Sequence, residues 1–214
     1  MKRFIRSLLD LIYKQKCYCC SSSAENALLC SKCYGELELC QYLPSKFVAG
    51  VDVYCAGLYN KNLQKLIRGI KYHKKQDLAV YVAKFMCYYW EQIGMTGDFE
   101  IVPVPLHTKR MKKRKYNQAE LIAVEFAKLT GYTVNTELVK RQKDTAPQYK
   151  LSRLERLDNL KDAFVVDKTK HQSGKKILLL DDISTTGSTF ETMVNALKFS
   201  GINNIVCFAA ATPF

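Results

Sequence analysis

The chain has 214 residues, enough for one full α/β domain and a small appendage. Its hydrophobic content of 48%, with charges of both signs, argues for a packed globule and against disorder. Lys and Arg number 33 against 20 Asp and Glu, a net charge of +13, so the expected partners are anionic: nucleic acid, phosphorylated small molecules or an acidic membrane surface. A merely solubilising charge is the alternative. The crowding of Lys109, Arg110, Lys112, Lys113, Arg114 and Lys115 into one short stretch argues against it.

Residues 2–13 read as a short amphipathic helix, with Phe4, Ile5, Leu8, Leu9 and Ile12 on one face, more suited to packing on the protein's own body than to a membrane. The start Met1–Asp10 lacks the long apolar stretch and small-residue cleavage site of a secretory signal. No run approaches the roughly 20 apolar residues that span a bilayer. Cytoplasmic location without stable membrane insertion is the expectation, and in that reducing setting nine cysteines point to metal rather than disulfides. The cysteine segment runs from Cys17 to about Cys40, and Pro44 and Ser45 mark a boundary between residues 1–45 and residues 46–214.

From Gly50 onward strand-like and helix-like segments alternate. Val51–Leu58 reads as a strand, and Leu63, Leu66, Ile67 and Ile70 carry a helical period. Leu78–Trp90 is helical, Ile101–Val104 a short strand, and Ala119–Leu129 a helix stopped by Gly131. Thr133–Leu138 and Phe164–Val166 are short strands on either side of a basic, irregular segment at 140–161. Ile177–Leu180 is a buried strand, Ser188–Phe199 a helix and Ile205–Ala210 a last strand. This alternation predicts an α/β fold with a mainly parallel sheet and helices on both faces.

Cys17-Tyr18-Cys19-Cys20 and Cys30-Ser31-Lys32-Cys33 form two C-x₂-C pairs, each able to turn two thiolates onto one cation. Cys17, Cys20, Cys30 and Cys33 thus complete a tetrahedral, structural Zn²⁺ site in a small N-terminal ribbon. Cys19 is an alternative ligand and Cys40 a spare, and structural thiols without metal are the rival reading.

The run Lys176–Thr189 carries the most information. An apolar strand delivers Asp181 and Asp182 at its carboxyl end, and the loop Ser184-Thr185-Thr186-Gly187-Ser188-Thr189 leads straight into a helix. Backbone N–H groups, the positive helix end and several hydroxyls suit one dianionic phosphate, with Gly187 allowing close approach. The carboxylates would repel that phosphate but fit a pair of vicinal hydroxyls, as on ribose. A P-loop would need Lys after the glycine, where Ser188 stands. The rival reading is a capped helix whose aspartates bind nothing, or only a metal.

This run resembles the phosphoribosyl pyrophosphate (PRPP) motif of type I phosphoribosyltransferases: four hydrophobic residues, two acids, a spacer, Thr-Thr-Gly and a hydroxyl residue. The resemblance implies that Asp181 and Asp182 hold the ribose 2′- and 3′-hydroxyls at the catalytic centre while Ser184 to Thr189 cradle the 5′-phosphate. Nearly the whole chain is similar to the competence protein F (ComF/GntX-like) family, through Val102-Pro103-Val104-Pro105-Leu106-His107, Arg110, Arg114, Tyr116-Asn117-Gln118, Thr145-Ala146-Pro147-Gln148, Arg156, Asn159 and Ala163-Phe164. Leu66-Ile67, Lys71-Tyr72 and the cysteine pairs complete the pattern. Lys115 departs from it, standing where glycine is expected.

The resemblance implies a type I phosphoribosyltransferase-like fold with a zinc ribbon, and pyrophosphate facing the loop after Ile101–Val104 with bridging Mg²⁺. Arg110 and Arg114 are the implied counter-charges, and the segment Thr145–Arg156 a mobile lid. Natural transformation and DNA uptake are the implied setting, with single-stranded DNA and competence helicase or recombination-mediator proteins as partners. No acceptor site is legible; Tyr54, Tyr59, Lys71, Tyr72 and His73 are candidates for it that fit core packing as well. Two classes of function remain open: phosphoribosyl transfer, or a non-catalytic adaptor that senses PRPP or a nucleotide while gripping single-stranded DNA.

Overall fold

The computed structural model describes residues 15–24, 27–141 and 163–213. A short helix α1 (Ser31–Gly35) lies within the cysteine segment, followed by strands β1 (Lys46–Val48) and β2 (Val51–Leu58). Helix α2 (Lys61–Tyr72) and helix α3 (Ala79–Gln92) precede β3 (Phe99–Pro103), which leads through α4 (Thr108–Arg114) to α5 (Gln118–Thr130) and β4 (Thr133–Val134). β5 (Val139–Arg141) pairs with β6 (Phe164–Val166) as a separate two-stranded ribbon. β7 (Lys176–Ile183), α6 (Ser188–Phe199) and β8 (Ile205–Thr212) follow.

The main sheet has the order β1-β2-β8-β7-β3-β4, parallel throughout except for β1 against β2. Ile177, Leu178, Leu179 and Leu180 of β7 are fully buried. Their side chains alternate: Leu178 and Leu180 pack with α2, α3 and α5, while Ile177 and Leu179 pack with α6. A strand covered on both faces needs an unbroken apolar run, and this one has it. Trp90 of α3 ties the first layer to the sheet, its ring 5.4 Å from Phe99 and 5.1 Å from Phe208.

The expected α/β architecture with helices on both faces is therefore present. From β3 the chain crosses to β4 on one side, and from β7 it crosses to β8 on the other. The carboxyl ends of β3 and β7 thus flank a topological switch point, where loops diverge and leave a crevice.

Several boundaries differ from expectation. β3 begins at Phe99, because the buried carboxylate Glu100 is satisfied by His171 Nδ1 at 2.7 Å and by Asn135 Nδ2 at 2.8 Å. β4 stops at Val134 rather than reaching Leu138, since Asn135 Oδ1 accepts from the backbone N–H groups of both Glu137 and Leu138 at 2.9 Å and turns the chain. β7 continues through both aspartates to Ile183. The basic stretch after His107 forms α4, none of whose residues is buried. The amphipathic segment 2–13, the run Thr145–Gln148, Arg156, Asn159 and the expected lid lie outside the described residues, as does most of 140–161.

Candidate functional site

A cavity of about 710 Å³ opens at this switch point. Val104, Pro105 and Leu106 after β3 form one wall, and Asp181, Asp182, Thr185 and Thr189 another. Arg110 and Arg114 of α4, Lys71 and Tyr72 of α2, and Arg141 of β5 close it from three further directions.

Because Asp181 and Asp182 are adjacent on a strand, they leave it on opposite faces. Asp182, 3% exposed, lies on the side of α2 and α5. It pairs with the Lys71 ammonium through Oδ2 and accepts from Gln118 Nε2 through Oδ1 at 3.4 Å. Asp181 lies on the other side, and its Oδ1 accepts from the Asp182 N–H at 2.8 Å. Burial, reinforced by the neighbouring Asp182, pushes the Asp181 carboxyl well above the usual carboxylate range. The two acids thus have different environments and meet only at the cavity.

The following loop is braced from behind. Ser184 is buried; its N–H donates to Ala211 O at 2.9 Å, and its carbonyl accepts from Lys46 Nζ at 3.1 Å. Its hydroxyl has no hydrogen-bond partner among the described residues. Lys46 also reaches Thr212 Oγ1 at 2.9 Å, so β1 and β8 both anchor the loop. Thr185 and Thr189 face the cavity, whereas Thr186 Oγ1 donates to Ser188 Oγ at 3.1 Å. Gly187 has φ +82°, and a Cβ there would stand 2.9 Å from Val48 Cγ1. Glycine is required twice over, by its left-handed backbone and by the packing of β1 beneath it.

The opposite side is cationic. Arg114 donates through Nη1 to Gln118 Oε1 and stands 5.5 Å from the centre of the Tyr72 ring. Gln118 thereby links Arg114 to Asp182, and Asn117 fixes it by capping α5 at Ala119 N and donating to Val104 O at 3.0 Å. Tyr116 donates to Ile70 O, joining this turn to α2. Burial, then the neighbouring Arg110, lowers the Arg141 guanidinium from its usual range, with Asp181 opposing; it remains charged. Lys71, Lys74, Arg110, Lys113, Arg114 and Arg141 face the cavity against two carboxylates, a balance suited to a polyanion.

The structure thus brings Asp181, Asp182, Thr185, Thr189, Arg110 and Arg114 to one cavity, while Ser184, Thr186, Gly187 and Ser188 shape the loop without lining it. Arg141 escaped sequence reasoning, being one cation in a basic stretch; only the β5–β6 pairing places it. Lys71 was legible as part of a pattern and as an acceptor-site candidate, but without its aspartate.

A second constellation lies in the cysteine segment. The sulfurs of Cys17, Cys20, Cys30 and Cys33 all lie within 4.8 Å of one another, and Cys20 Sγ is 3.8 Å from Cys30 Sγ. Tetrahedral zinc with bonds of about 2.3 Å requires sulfurs roughly 3.8 Å apart, so the donor set fits. Cys17 Sγ accepts from Cys30 N at 3.4 Å and Cys30 Sγ from Cys33 N at 3.5 Å. Hydrogen bonding from Ser22 lowers the Cys20 thiol to about 6. Cys19 is directed elsewhere: its sulfur lies 3.9 Å from Asn62 O. Burial pushes Cys40 up to about 11. Four sulfurs can hold a metal ion such as zinc and leave no open position for substrate.

No family model matches the chain. Among curated proteins it is 26% identical to Competence protein F of Haemophilus influenzae, over 96% of this chain and 94% of that one. It is 29% identical to Competence protein ComFC of Streptococcus pneumoniae, over 95% and 91% respectively. DNA utilization protein YhgH of Escherichia coli is 28% identical over 67% of this chain and 64% of its own length. Similar solved structures include glutamine phosphoribosylpyrophosphate amidotransferase from B. subtilis, 12% identical with a TM-score of 0.46, covering 67% of this chain and 30% of that one. Adenine phosphoribosyltransferase from Thermoanaerobacter pseudethanolicus is 14% identical with a TM-score of 0.42, over 70% and 74%. Among the described residues, no helix is long and apolar enough to cross a membrane.

Proposed function

We propose, for a chain homologous to curated competence F and DNA utilization proteins, that the cavity binds PRPP and serves DNA uptake in natural transformation, within the cytoplasm. Residues 46–214 are the phosphoribosyltransferase-like domain of this reading, and residues 1–45 its appended helix and ribbon. The observation that carries it is the polarity of the cavity: two carboxylates and a braced hydroxyl loop at one wall, arginines at the other.

In this reading Asp181 and Asp182 accept hydrogen bonds from the ribose hydroxyls, and the loop Ser184–Thr189 with the start of α6 holds the 5′-phosphate. Arg110, Arg114 and Arg141 face the pyrophosphate, where planar guanidinium groups donate paired bonds. Lys71 already pairs with Asp182, and a Mg²⁺ accompanying the pyrophosphate would supply charge neutralisation. Transfer to an acceptor would proceed by positioning and charge stabilisation rather than covalent catalysis. The decisive experiment is calorimetric titration of PRPP with Mg²⁺ into the zinc-loaded wild type and into the Asp181→Asn/Asp182→Asn double variant. Saturable binding lost in the variant is expected; a folded wild type that binds nothing refutes the reading.

A specific observation supports the adaptor reading beside it. α4 is exposed along its length, and Tyr72, 64% exposed, has Arg114 and Arg68 at 5.5 and 5.8 Å from its ring centre. An exposed ring beside guanidinium groups can stack a base of single-stranded DNA. Helicase or recombination-mediator partners belong to the same reading. Alanine at Lys112, Lys113 and Lys115 should reduce the salt dependence of DNA affinity by roughly one unit per lost phosphate contact. Unchanged DNA affinity would exclude this surface.

A further inference from the structure

Helix α2 carries two sets of residues with different duties. Asn62, Lys65, Gly69 and His73, the last its C-cap, recur every three or four residues and share one face. Each touches the cysteine segment. Lys65 Nζ donates to Cys19 O at 2.8 Å, and Asn62 Nδ2 donates to Cys33 O at 3.1 Å. Tyr18 OH shares a hydrogen bond of 2.6 Å with His73 Nδ1. The Tyr18 ring lies on the backbone of Gly69, where a Cβ would be only 2.9 Å away. Lys71 and Tyr72, which leave the last turn in other directions, line the cavity, and Lys71 holds Asp182.

The anchors on the cysteine side come from inside the cluster. Tyr18 and Cys19 sit between Cys17 and Cys20, and Cys33 supplies one of the four converging sulfurs. Whatever closes those sulfurs fixes the groups that grip α2. The apolar side of α2 (Leu63, Leu66, Ile67 and Ile70) holds the helix to the core regardless. The contacts that depend on the cluster therefore add to this core packing and bear chiefly on the last turn, through Gly69 and His73.

We propose that the cysteine cluster is a positioning element for the phosphoribosyl site: with a metal ion held by Cys17, Cys20, Cys30 and Cys33, Tyr18 and Cys19 clamp α2 and set Lys71 against Asp182, so that metal and PRPP bind with positive linkage. The ligand named here rests on the proposed function above. Linkage is reciprocal, so each ligand must raise the affinity of the other by the same factor. Coupled sites span roughly 5- to 150-fold, and Tyr116, which independently holds Ile70 O, places the expected effect near the lower end, about tenfold.

The test titrates PRPP with Mg²⁺ into the full chain, zinc-loaded and after a zinc-selective chelator, and follows amide exchange at Ile70, Lys71 and Tyr72 in both states. Zinc removal should weaken PRPP binding about tenfold, and PRPP should raise zinc affinity equally. Zinc-loaded Tyr18→Ala should bind PRPP as weakly as the stripped wild type. Tyr18→Phe keeps the ring and the sulfurs and should fall between, which covers the case in which Tyr18→Ala loses its metal. Equal PRPP affinity with and without zinc in a folded wild type overturns the proposal. If the zinc-loaded wild type binds no PRPP, the functional reading fails, and exchange alone judges the coupling. Slower exchange at these amides with zinc then supports it, and unchanged exchange overturns it.

Discussion

Lys71 and Asp182 form an ion pair between the last turn of α2 and the end of β7, with side chains 15% and 4% exposed. Removing one partner from such a buried pair strands the other charge in a desolvated place, and typically costs about 3–5 kcal/mol. Lys71→Met should therefore destabilise the chain by an amount of that order in denaturant unfolding. Adding Asp182→Asn should recover part of the loss, since the stranded charge is gone. A double variant whose loss equals the sum of the two single losses would show that the residues act independently.

Lys115 ends α4 with φ +71°, a left-handed conformation that costs a non-glycine residue roughly 1–2 kcal/mol. Glycine is the residue expected there from the family resemblance, and the backbone explains why. Lys115→Gly should stabilise the chain by about 1 kcal/mol, after the greater freedom of glycine in the unfolded state offsets part of the gain. The midpoint of thermal unfolding should rise by about 2–4 °C. An unchanged or lower midpoint would mean that the Lys115 side chain makes a stabilising contact of its own.

The sheet and most helices were legible because their burial writes a period into the chain: Leu63, Leu66, Ile67 and Ile70 for α2, and the unbroken run Ile177–Leu180 for β7. Asp181, Asp182 and the threonines were legible because their chemistry is compressed into one strand–loop–helix junction. Two things were not. Arg141, and the contacts of Lys71 and Gln118 with Asp182, come from three separate elements, and no local pattern records which side chains a fold will bring together. Polar residues that take over backbone duties, such as Asn135, end elements where apolar periodicity alone would extend them.

Asp181 makes the stability of the chain pH-dependent with a definite sign. Its carboxyl is raised by burial and by Asp182, so the folded state holds its proton more tightly than the unfolded chain does. This contribution to stability is present below the ordinary aspartate range, near pH 3.9, and is lost as pH rises through the raised value. Asp181→Asn removes the penalty of a desolvated charge and should raise the unfolding midpoint at neutral pH, by about 2–4 °C for each kcal/mol relieved. The gain over wild type should vanish in acid. A variant less stable than wild type at pH 7 would show that the Asp181 charge is compensated by its cationic neighbours.

The cysteine cluster makes a prediction about metal that separates neighbouring thiols. Cys20 belongs to the group of four converging sulfurs, whereas Cys19, one residue earlier, is buried with its sulfur toward Asn62 O. Metal analysis of the purified chain should find about one zinc per molecule, bound by four sulfurs. Cys20→Ser should abolish it, while Cys19→Ser and Cys40→Ser should keep it. Ser22 stands behind Cys20, its Oγ 2.9 Å from the sulfur, and hydrogen bonds of this kind tune a ligand they do not replace. Ser22→Ala should lower zinc affinity by roughly 10- to 100-fold, measured by competition with a chromogenic chelator. Retention of zinc by Cys20→Ser with loss in Cys19→Ser would move the ligand set by one residue.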